Sequence, residues 1–248
     1  MTVGNSIRLA ALLLLVAFLV APQAFAPFFQ LFAKSGQPPI YTQSSLLNLT
    51  LNHLAITAIA TLAATVVAVG LAILVTRPFG AEFLPLSRSL ANVGQTFPPV
   101  AVLAIAVPLL GFGTAPTLVA LFLYGLLPIF ENALTGLTTL PPSVTEAARG
   151  MGMTGQQRLL SVELPLSLPV ILGGIRLSAV IGLSTATIGS TVAASTLGEV
   201  IIAGLLSDNI AYILQGGLVV GILAVLIYDG LSMVERVLMR RTGQGRRV

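Results

Sequence analysis

Few side chains in this sequence could carry out covalent or metal chemistry. The 248 residues include no cysteine and a single histidine, His53, which excludes a thiolate nucleophile and leaves too few ligands for a zinc site. The single lysine, Lys34, precedes a serine, but alanine and phenylalanine stand where a phosphate-binding loop needs its glycines. We therefore expect no catalytic residue, no metal and no cofactor. His53 lies at the edge of an apolar run and is predicted to be a solvated boundary residue.

The composition is typical of a membrane protein. Hydrophobic residues make up 56% of the chain and charged residues 8%, against about 25% charged residues in soluble domains. A bilayer crossing needs about 20 mostly apolar residues, which predicts an all-α fold with about six transmembrane helices. The predicted spans are residues 7–25, 54–75, 90–110, 117–137, 168–192 and 213–233. The net charge of +4 comes from residues that flank these spans, so no nucleic-acid partner is expected.

The basic residues predict the orientation. With both termini and the polar segment 146–165 in the cytoplasm, Lys34 is the one basic residue of twelve that falls outside. We interpret residues 1–248 as a single membrane domain: 1–53 hold the first span and an external loop, 54–233 the core, and 234–248 a basic cytoplasmic tail that includes Arg246 and Arg247. Residues 1–26 resemble a cleavable signal peptide, although the apolar run is long enough to be retained as a span.

The segment 146–165 is hydrophilic within a chain that is otherwise mostly apolar. Two prolines at 141 and 142 are expected to end the preceding helix. Ser143 and Glu146 have the spacing of a capping box that would start a short helix at Val144, and Gly152 can adopt the left-handed conformation that stops it.

Thr154 and Gln157 form a second capping box in the same segment, and Pro165 is expected to end the helix that follows. Two short helices at an angle would then offer a surface of small residues to a soluble partner. That surface is predicted to comprise Ala147, Ala148 and Gly152.

The spacing of residues in this segment resembles the EAA loop of ABC-importer permeases. Seven positions carry the resemblance: Glu146, Ala147, Ala148, Gly152, Val162, Leu164 and Pro165. The resemblance implies a type I importer permease fold in which this loop couples the permease to ATPase subunits. It further implies two ATPase copies, a second permease copy or a paralogue, and an extracytoplasmic substrate-binding protein. ATP hydrolysis would take place in the partner subunits, and the permease would not be an enzyme.

Polar residues in the third and fifth spans could line a translocation path. In lipid, polar side chains and broken helices persist where protein or a wet cavity satisfies them. A double proline at 98 and 99 should also kink the third span. The candidate path residues are Asn92, Gln95, Thr96, Ser184, Thr187, Ser190 and Thr191. Small polar residues also mediate helix packing in membranes, and for the fifth span the two interpretations stay open.

Acidic residues near the membrane are predicted to have structural roles. We expect Glu131 to pair with Arg176, because both lie near the cytoplasmic ends of their spans. Glu199 and Asp208 are expected to be solvated acids of an external segment, with contact to a binding protein as the alternative. Residues 197–205 within it are predicted to form a short re-entrant or interfacial helix.

Further motifs resemble those of osmoprotectant-uptake permeases of the glycine betaine, choline and carnitine type. They are residues 76–82, 94–99 and 150–153 together with the Val-Glu-Leu-Pro sequence. The resemblance implies import of a small quaternary amine across a bacterial inner membrane, with selection by the binding protein. The chain has no tryptophan and four tyrosines, which gives no obvious aromatic cage. A permease for methionine or another amino acid, an ATPase-independent secondary transporter and a non-transporting scaffold remain alternatives.

Overall fold

The computed structural model describes residues 3–241, and this part of the chain is built from helices joined by short loops. The α-helices are α1 (Val3–Val20), α2 (Ala26–Gln30), α3 (Leu46–Val75), α4 (Leu84–Thr96), α5 (Pro99–Leu110), α6 (Thr114–Thr138), α7 (Pro142–Gly150), α8 (Gly155–Arg158), α9 (Leu164–Ala186), α10 (Gly198–Leu206) and α11 (Ile210–Arg241). Short 3₁₀ helices occupy Pro22–Phe25, Ala81–Phe83 and Thr187–Val192, and Leu159–Glu163 form a π-helical turn.

Within residues 3–241, four helical segments are long and apolar enough to cross a membrane. They are Leu46–Val75, Thr114–Thr138, Gly155–Val192 and Ile210–Arg240. Two further segments are bent helix pairs, and counting each pair as one span gives six. The expected all-α membrane fold is confirmed, and the number of spans is six when each bent pair is counted as one span.

Proline residues explain both bends. The first predicted span, 7–25, does not continue as one helix: it turns by 111° between Val20 and Pro22. The third turns by 98° between Thr96 and Pro99, so the double proline breaks the helix instead of kinking it. Proline disfavours helical geometry in the preceding residue, and Phe97 accordingly has an extended backbone with φ −96° and ψ 137°.

One compact unit comprises Met1–Ile59, Pro98–Leu121 and Gly182–Ile227. Its core contains Leu15, Phe18 and Phe29 near the N-terminus, together with residues of α10 and α11. Two buried amides attach the loop after α2 to α11: Asn209 Nδ2 donates to Pro38 O at 3.0 Å, and Gln215 Nε2 donates to Pro39 O at 2.8 Å. The loop is therefore a fixed part of this unit.

His53 lies in this unit and is fully buried, with 0% exposure, so the prediction of a solvated boundary residue is wrong. Its Nδ1 accepts from Leu197 N–H at 3.3 Å, and Nε2 lies 2.9 Å from Leu183 O. Because Nδ1 accepts, Nε2 carries the ring proton and donates it to the carbonyl. A histidine thus satisfies two backbone groups that the sequence pattern could not reveal as neighbours.

The second unit comprises Ala60–Phe97, Phe122–Ile181 and Tyr228–Val248. Ala64, Ala68 and Ala72 recur at every fourth position of α3, and each has 0% exposure. This spacing places them on one helix face, and they form one core cluster with Ile129 and Phe130 of α6. Small side chains on α3 let the helices approach closely, as is typical of packing in membranes.

Two predictions about the C-terminal part have different outcomes. The predicted helix at 197–205 is confirmed as α10. The assignment of 234–248 as a basic cytoplasmic tail stays a prediction; its residues 234–241 are helical as the end of α11. Residues 242–248, with Arg246 and Arg247, lie outside the described residues.

Candidate functional site

The first half of the segment 146–165 forms α7, which begins two residues earlier than predicted. Pro141 is the N-cap and Pro142 the first helical residue, a position where the fixed φ of proline suits a helix. Ser143 and Glu146 therefore lie inside the helix, and no side chain caps it. The predicted Ser143–Glu146 capping box is wrong because the prolines set the helix start.

Gly152 stops α7 as predicted. Its φ is +75°, in the left-handed region where a Cβ atom is unfavourable. Met153 N–H donates to Ala148 O at 3.2 Å, and Gly152 N–H donates to Arg149 O at 2.9 Å. These two bonds form a Schellman motif, the common glycine-dependent helix end.

The capping box of the second short helix is confirmed. Thr154 Oγ1 accepts from Gln157 N–H at 3.3 Å, and Gln157 Oε1 accepts from Thr154 N–H at 2.9 Å. The helix does not end at Pro165, however: α8 continues through the π-helical turn into α9, and Gly155–Val192 form one long segment. Pro165 lies in the first turn of α9, where a missing backbone N–H is tolerated, directly after a π-turn that alters the local hydrogen bonding.

The loop surface differs from the predicted one at Ala148. That residue is 1% exposed and packs inward, whereas Glu146, Ala147 and Gly152 are exposed. Of the remaining marker residues, Val162 and Leu164 are partly buried and Pro165 is exposed. The sequence analysis missed two exposed apolar side chains, Met151 at 74% and Leu160 at 57%. An exposed methionine in the centre of a polar segment could have indicated a contact surface.

A buried carboxylate anchors this loop. Glu163 is 6% exposed; its Oε2 lies 2.6 Å from Arg77 Nη2, and its Oε1 lies 2.8 Å from Arg158 Nε. A cavity of about 390 Å³ beside this cluster is lined by the same three side chains and by Arg149. Arg77, in the connection after α3, therefore holds the loop through charge-assisted hydrogen bonds. The sequence analysis had assigned Glu163 no role.

The three candidate path residues of α4 are exposed. Asn92, Gln95 and Thr96 lie on the outer side of this helix, and Gln95 Nε2 donates to Tyr124 O at 2.9 Å. Gly94 lies between them, where a Cβ atom would be 2.0 Å from Leu123 O. The α4 backbone therefore lies against α6 at this glycine, and the Gln95 side chain bonds to the adjacent part of the α6 backbone.

The four candidate path residues of the fifth span lie at and beyond the end of α9. Ser184 and Thr191 are exposed, and Thr187 and Ser190 are partly exposed. Thr187 Oγ1 donates to Ser184 O at 2.7 Å, and Ser190 Oγ donates to Ala194 O at 3.0 Å. None of the four is enclosed between helices of its own unit, and their role in a path stays a prediction.

The expected ion pair between Glu131 and Arg176 is replaced by two other ion pairs. Glu131 does not pair with Arg176: its oxygens accept from Arg88 at 2.6 and 3.0 Å. Arg176 instead donates to Glu235 Oε2 at 2.5 Å, and its guanidinium lies 4.7 Å from the Tyr228 ring centroid. Sequence position alone could not identify which helices are neighbours.

Of the two acids in the segment after α9, one agrees with the expectation and one does not. Asp208 is exposed and pairs with Lys34, in agreement with a surface position. Glu199 is partly buried, and its Oε1 accepts from Tyr41 Oη at 2.7 Å and from the Ser44 hydroxyl. Glu199 is therefore not a freely solvated acid. Among the described residues, no group of three or more histidine, cysteine, aspartate and glutamate side chains could hold a metal ion.

Solved structures share this fold. The inward-facing MetNI methionine ABC transporter aligns with a TM-score of 0.70 and 21% identity, covering 78% of this chain and 95% of that chain. An amino acid ABC transporter with histidines aligns with a TM-score of 0.64 and 17% identity, covering 77% of this chain and 92% of that chain. The likeness to both confirms the type I importer permease fold.

Curated relatives are similar over most of their length. The osmoprotectant import permease protein OsmY of Salmonella typhimurium is 38% identical over 81% of this chain and 85% of its own. The choline transport system permease protein OpuBB of Bacillus subtilis is 39% identical over 77% and 87%. The carnitine transport permease protein OpuCB of Listeria monocytogenes is 41% identical over 77% and 87%.

A family model also matches residues 68–243, which hold the exposed loop, its Glu163 anchor and all seven candidate path residues. With this match and relatives about 40% identical, the chain belongs to the family of binding-protein-dependent transport system inner membrane components.

Proposed function

We propose that this chain is the permease subunit of an ATP-driven importer that carries a small osmoprotectant such as glycine betaine, choline or carnitine. The observation that carries the proposal is the identity of 38–41% to relatives named for osmoprotectant, choline and carnitine transport. The likeness to methionine and amino acid transporters is 17–21% in identity and concerns the fold, so these substrates are the second candidates.

In this proposal, the loop 146–165 receives the motion of two ATPase subunits. Three properties of the loop support such a role. Its residues Ala147, Met151 and Gly152 are exposed and available for contact. The Schellman motif at Gly152 fixes the loop conformation, and the buried Glu163 holds the loop to Arg77. Because the loop runs directly into α9, a force applied at α8 would reach the fifth span along a continuous helix.

The polar faces of α4 and of the segment 184–191 are proposed to line the path once a second permease copy or a paralogue is present. The seven candidate path residues on them are neutral hydrogen-bonding groups. Neutral groups suit the passage of a zwitterion, because a fixed charge would attract one end and repel the other. An extracytoplasmic binding protein would deliver the substrate, and the complex would reside in a bacterial inner membrane with both termini cytoplasmic.

Uptake in a host that lacks osmoprotectant transporters tests the proposal. The chain is expressed with its ATPase and binding protein, and uptake of radiolabelled glycine betaine, choline and carnitine is compared with that of methionine. We expect uptake of at least one quaternary amine, dependent on an intact ATPase. Uptake of methionine alone would support the second candidate. Uptake without an ATPase would support a secondary transporter, and failure of an ATPase to co-purify would contradict the assigned role of the loop.

A further inference from the structure

A cavity of about 550 Å³ lies in the first unit, between the loop after α2 and the helices α10 and α11. Its apolar wall includes Ile202, Ala203 and Leu206, and its polar wall includes Glu199, Tyr41 and Tyr212. Ser190, one of the candidate path residues, also lines it. A concave, mostly apolar site with a few converging polar groups is the usual form of a small-molecule site.

The carboxylate of Glu199 is the only charged group among the residues that line the cavity. The nearest basic residue on this loop, Lys34, pairs with Asp208, which does not line the cavity. A carboxylate without a cationic partner makes the potential in the cavity negative, which attracts cations and repels anions. The cavity is therefore suited to a positively charged ligand and unsuited to an anion.

The hydrogen bonds of Glu199 leave one oxygen for such a ligand. Tyr41 Oη and the Ser44 hydroxyl both donate to Oε1, and the described residues donate no hydrogen bond to Oε2. Burial and the neighbouring Glu199 carboxylate raise the pKa of Tyr41 to about 12, so its phenol stays protonated and continues to donate. The donors orient the carboxylate, as preorganised sites require.

Two aromatic residues also line the cavity, with most of their surface buried at 2% and 6% exposure. Tyr41 and Tyr212 pack edge to face, with ring centroids 5.3 Å apart and an interplanar angle of 90°. Aromatic rings attract cations, and quaternary ammonium groups in particular are held by aromatic walls together with apolar contacts for the methyl groups. The combination of a carboxylate, tyrosines and aliphatic side chains matches that chemistry.

We propose that this cavity is a binding site for the quaternary ammonium group of a small organic cation or zwitterion, with Glu199 as its counter-ion. The proposal deepens and rests on the proposed function: the ammonium group would occupy this site on its way to the path that begins near Ser190. The hydrogen bonds to Tyr41 and Ser44 alone would explain an anchor for the loop, but an uncharged glutamine would serve that purpose. The uncompensated charge is what points to a cation.

The test uses the absence of cysteine from the chain. The Ala203→Cys variant of the full-length protein is prepared in membranes and treated with two impermeant methanethiosulfonates, one carrying trimethylammonium and one carrying sulfonate. Each rate is divided by the rate of the same reagent with Thr42→Cys, an exposed loop position, as the reference. We expect the cationic reagent to be favoured at position 203 by about tenfold or more, because a cleft of one charge concentrates its counter-ions.

Two further measurements test the role of Glu199: protection of the cysteine by small cations, and removal of the Glu199 charge. Tetramethylammonium and choline should slow the modification of the Ala203→Cys variant, and adding Glu199→Gln to it should remove both the protection and the preference for the cationic reagent. Asp208→Asn is the matched control, since it neutralises a nearby acid outside the cavity and should preserve both. If Glu199→Gln does not fold, the proposal is decided by the Ala203→Cys variant alone, through its preference for the cationic reagent and its protection by tetramethylammonium and choline.

Equal relative rates for the two reagents, or no protection by tetramethylammonium and choline, would overturn the proposal. Protection by the purified binding protein but by neither small cation would likewise overturn it and assign the cavity to protein docking. The uptake assay and the protection assay test the two proposals separately. Normal osmoprotectant uptake without protection of the cysteine would reject the cation site alone. Protection of the cysteine without uptake would reject the proposed function and leave the cation site supported.

Discussion

Glu163 and Arg77 are 86 positions apart in the sequence, yet their side chains form an ion pair of 2.6 Å in which both partners are largely shielded from solvent. The same carboxylate accepts from Arg158 at 2.8 Å. One acid therefore connects the exposed loop to the end of α3. If the loop transmits force from an ATPase, this cluster must hold the loop rigidly against the end of α3.

Glu163→Gln should weaken both the protein and its coupling. The substitution leaves two shielded guanidinium groups without their carboxylate, and breaking a buried ion pair in this way costs about 3–5 kcal/mol. We expect a lower melting temperature for the purified complex and less substrate transported per ATP hydrolysed. Glu131→Gln is the control, because the Arg88–Glu131 pair is much more exposed and exposed pairs contribute little. Equal effects of the two substitutions would contradict a special role for Glu163.

Gly152→Trp should uncouple uptake from ATP hydrolysis while the helices remain folded. The ring would occupy the proposed contact surface, and the Cβ atom would be strained at φ +75°. Gly152→Ala isolates the strain, since a Cβ atom there has no neighbour within 4 Å. We expect the free energy of unfolding to fall by about 1–2 kcal/mol and uptake to fall less than in Gly152→Trp.

Gly150→Ala is the matched control for the loop. A Cβ atom at Gly150 also has open space, but the residue belongs to α7 and has no positive φ, so stability should be unchanged or slightly raised. Uptake and ATPase rates measured in the same vesicles check both expectations. Normal coupled uptake by Gly152→Trp at normal expression would remove the loop from its proposed role.

Thr187→Leu should lower the maximal uptake rate and leave the half-saturating substrate concentration nearly unchanged. The leucine removes a hydroxyl and adds bulk to a partly exposed position of the proposed path, whereas affinity would be determined by the binding protein. Thr187→Ser keeps the hydroxyl that donates to Ser184 O and should retain uptake. If leucine and serine behave alike, Thr187 does not line the path.

His53→Leu should destabilise the protein without any specific effect on transport chemistry. It would leave the Leu183 carbonyl and the Leu197 amide without their side-chain partner, at a cost of about 1–3 kcal/mol for each buried group left unsatisfied. His53→Gln keeps a donor and an acceptor and should be less harmful. Thermal unfolding in detergent compares the variants, and an unchanged melting temperature for His53→Leu would refute the structural role.

Cysteine accessibility checks the orientation. An impermeant thiol reagent applied outside should label Thr42→Cys, and should label Gly155→Cys only after the membrane is opened. Both positions are exposed, and the parent chain has no cysteine, so the labelling is unambiguous. Labelling of Gly155→Cys from the outside would overturn the prediction that the loop and both termini are cytoplasmic.

Features that depend on near neighbours along the chain could be predicted from the amino-acid sequence. Apolar runs predicted the membrane helices, and Gly152 with the Thr154–Gln157 box predicted a helix stop and a helix start. The double proline predicted a kink in the third span, at the position where the structure has a break. These features follow from bonds between residues a few positions apart. Where two local signals competed, at Pro142 and Ser143, the fixed φ of proline decided the helix start and the capping box was not formed.

Tertiary structure alone decided which distant groups meet. The charges of Glu131, Glu163 and Arg176 were plain in the sequence, but their partners depend on which helices are neighbours, and spacing carries no information about that. The burial of His53 and Ala148 has the same cause, because a residue at the edge of an apolar run or within a polar segment is exposed or enclosed according to what packs over it. The cavity around Glu199 likewise exists because a loop some 155 positions earlier brings Tyr41 and Ser44 to that carboxylate.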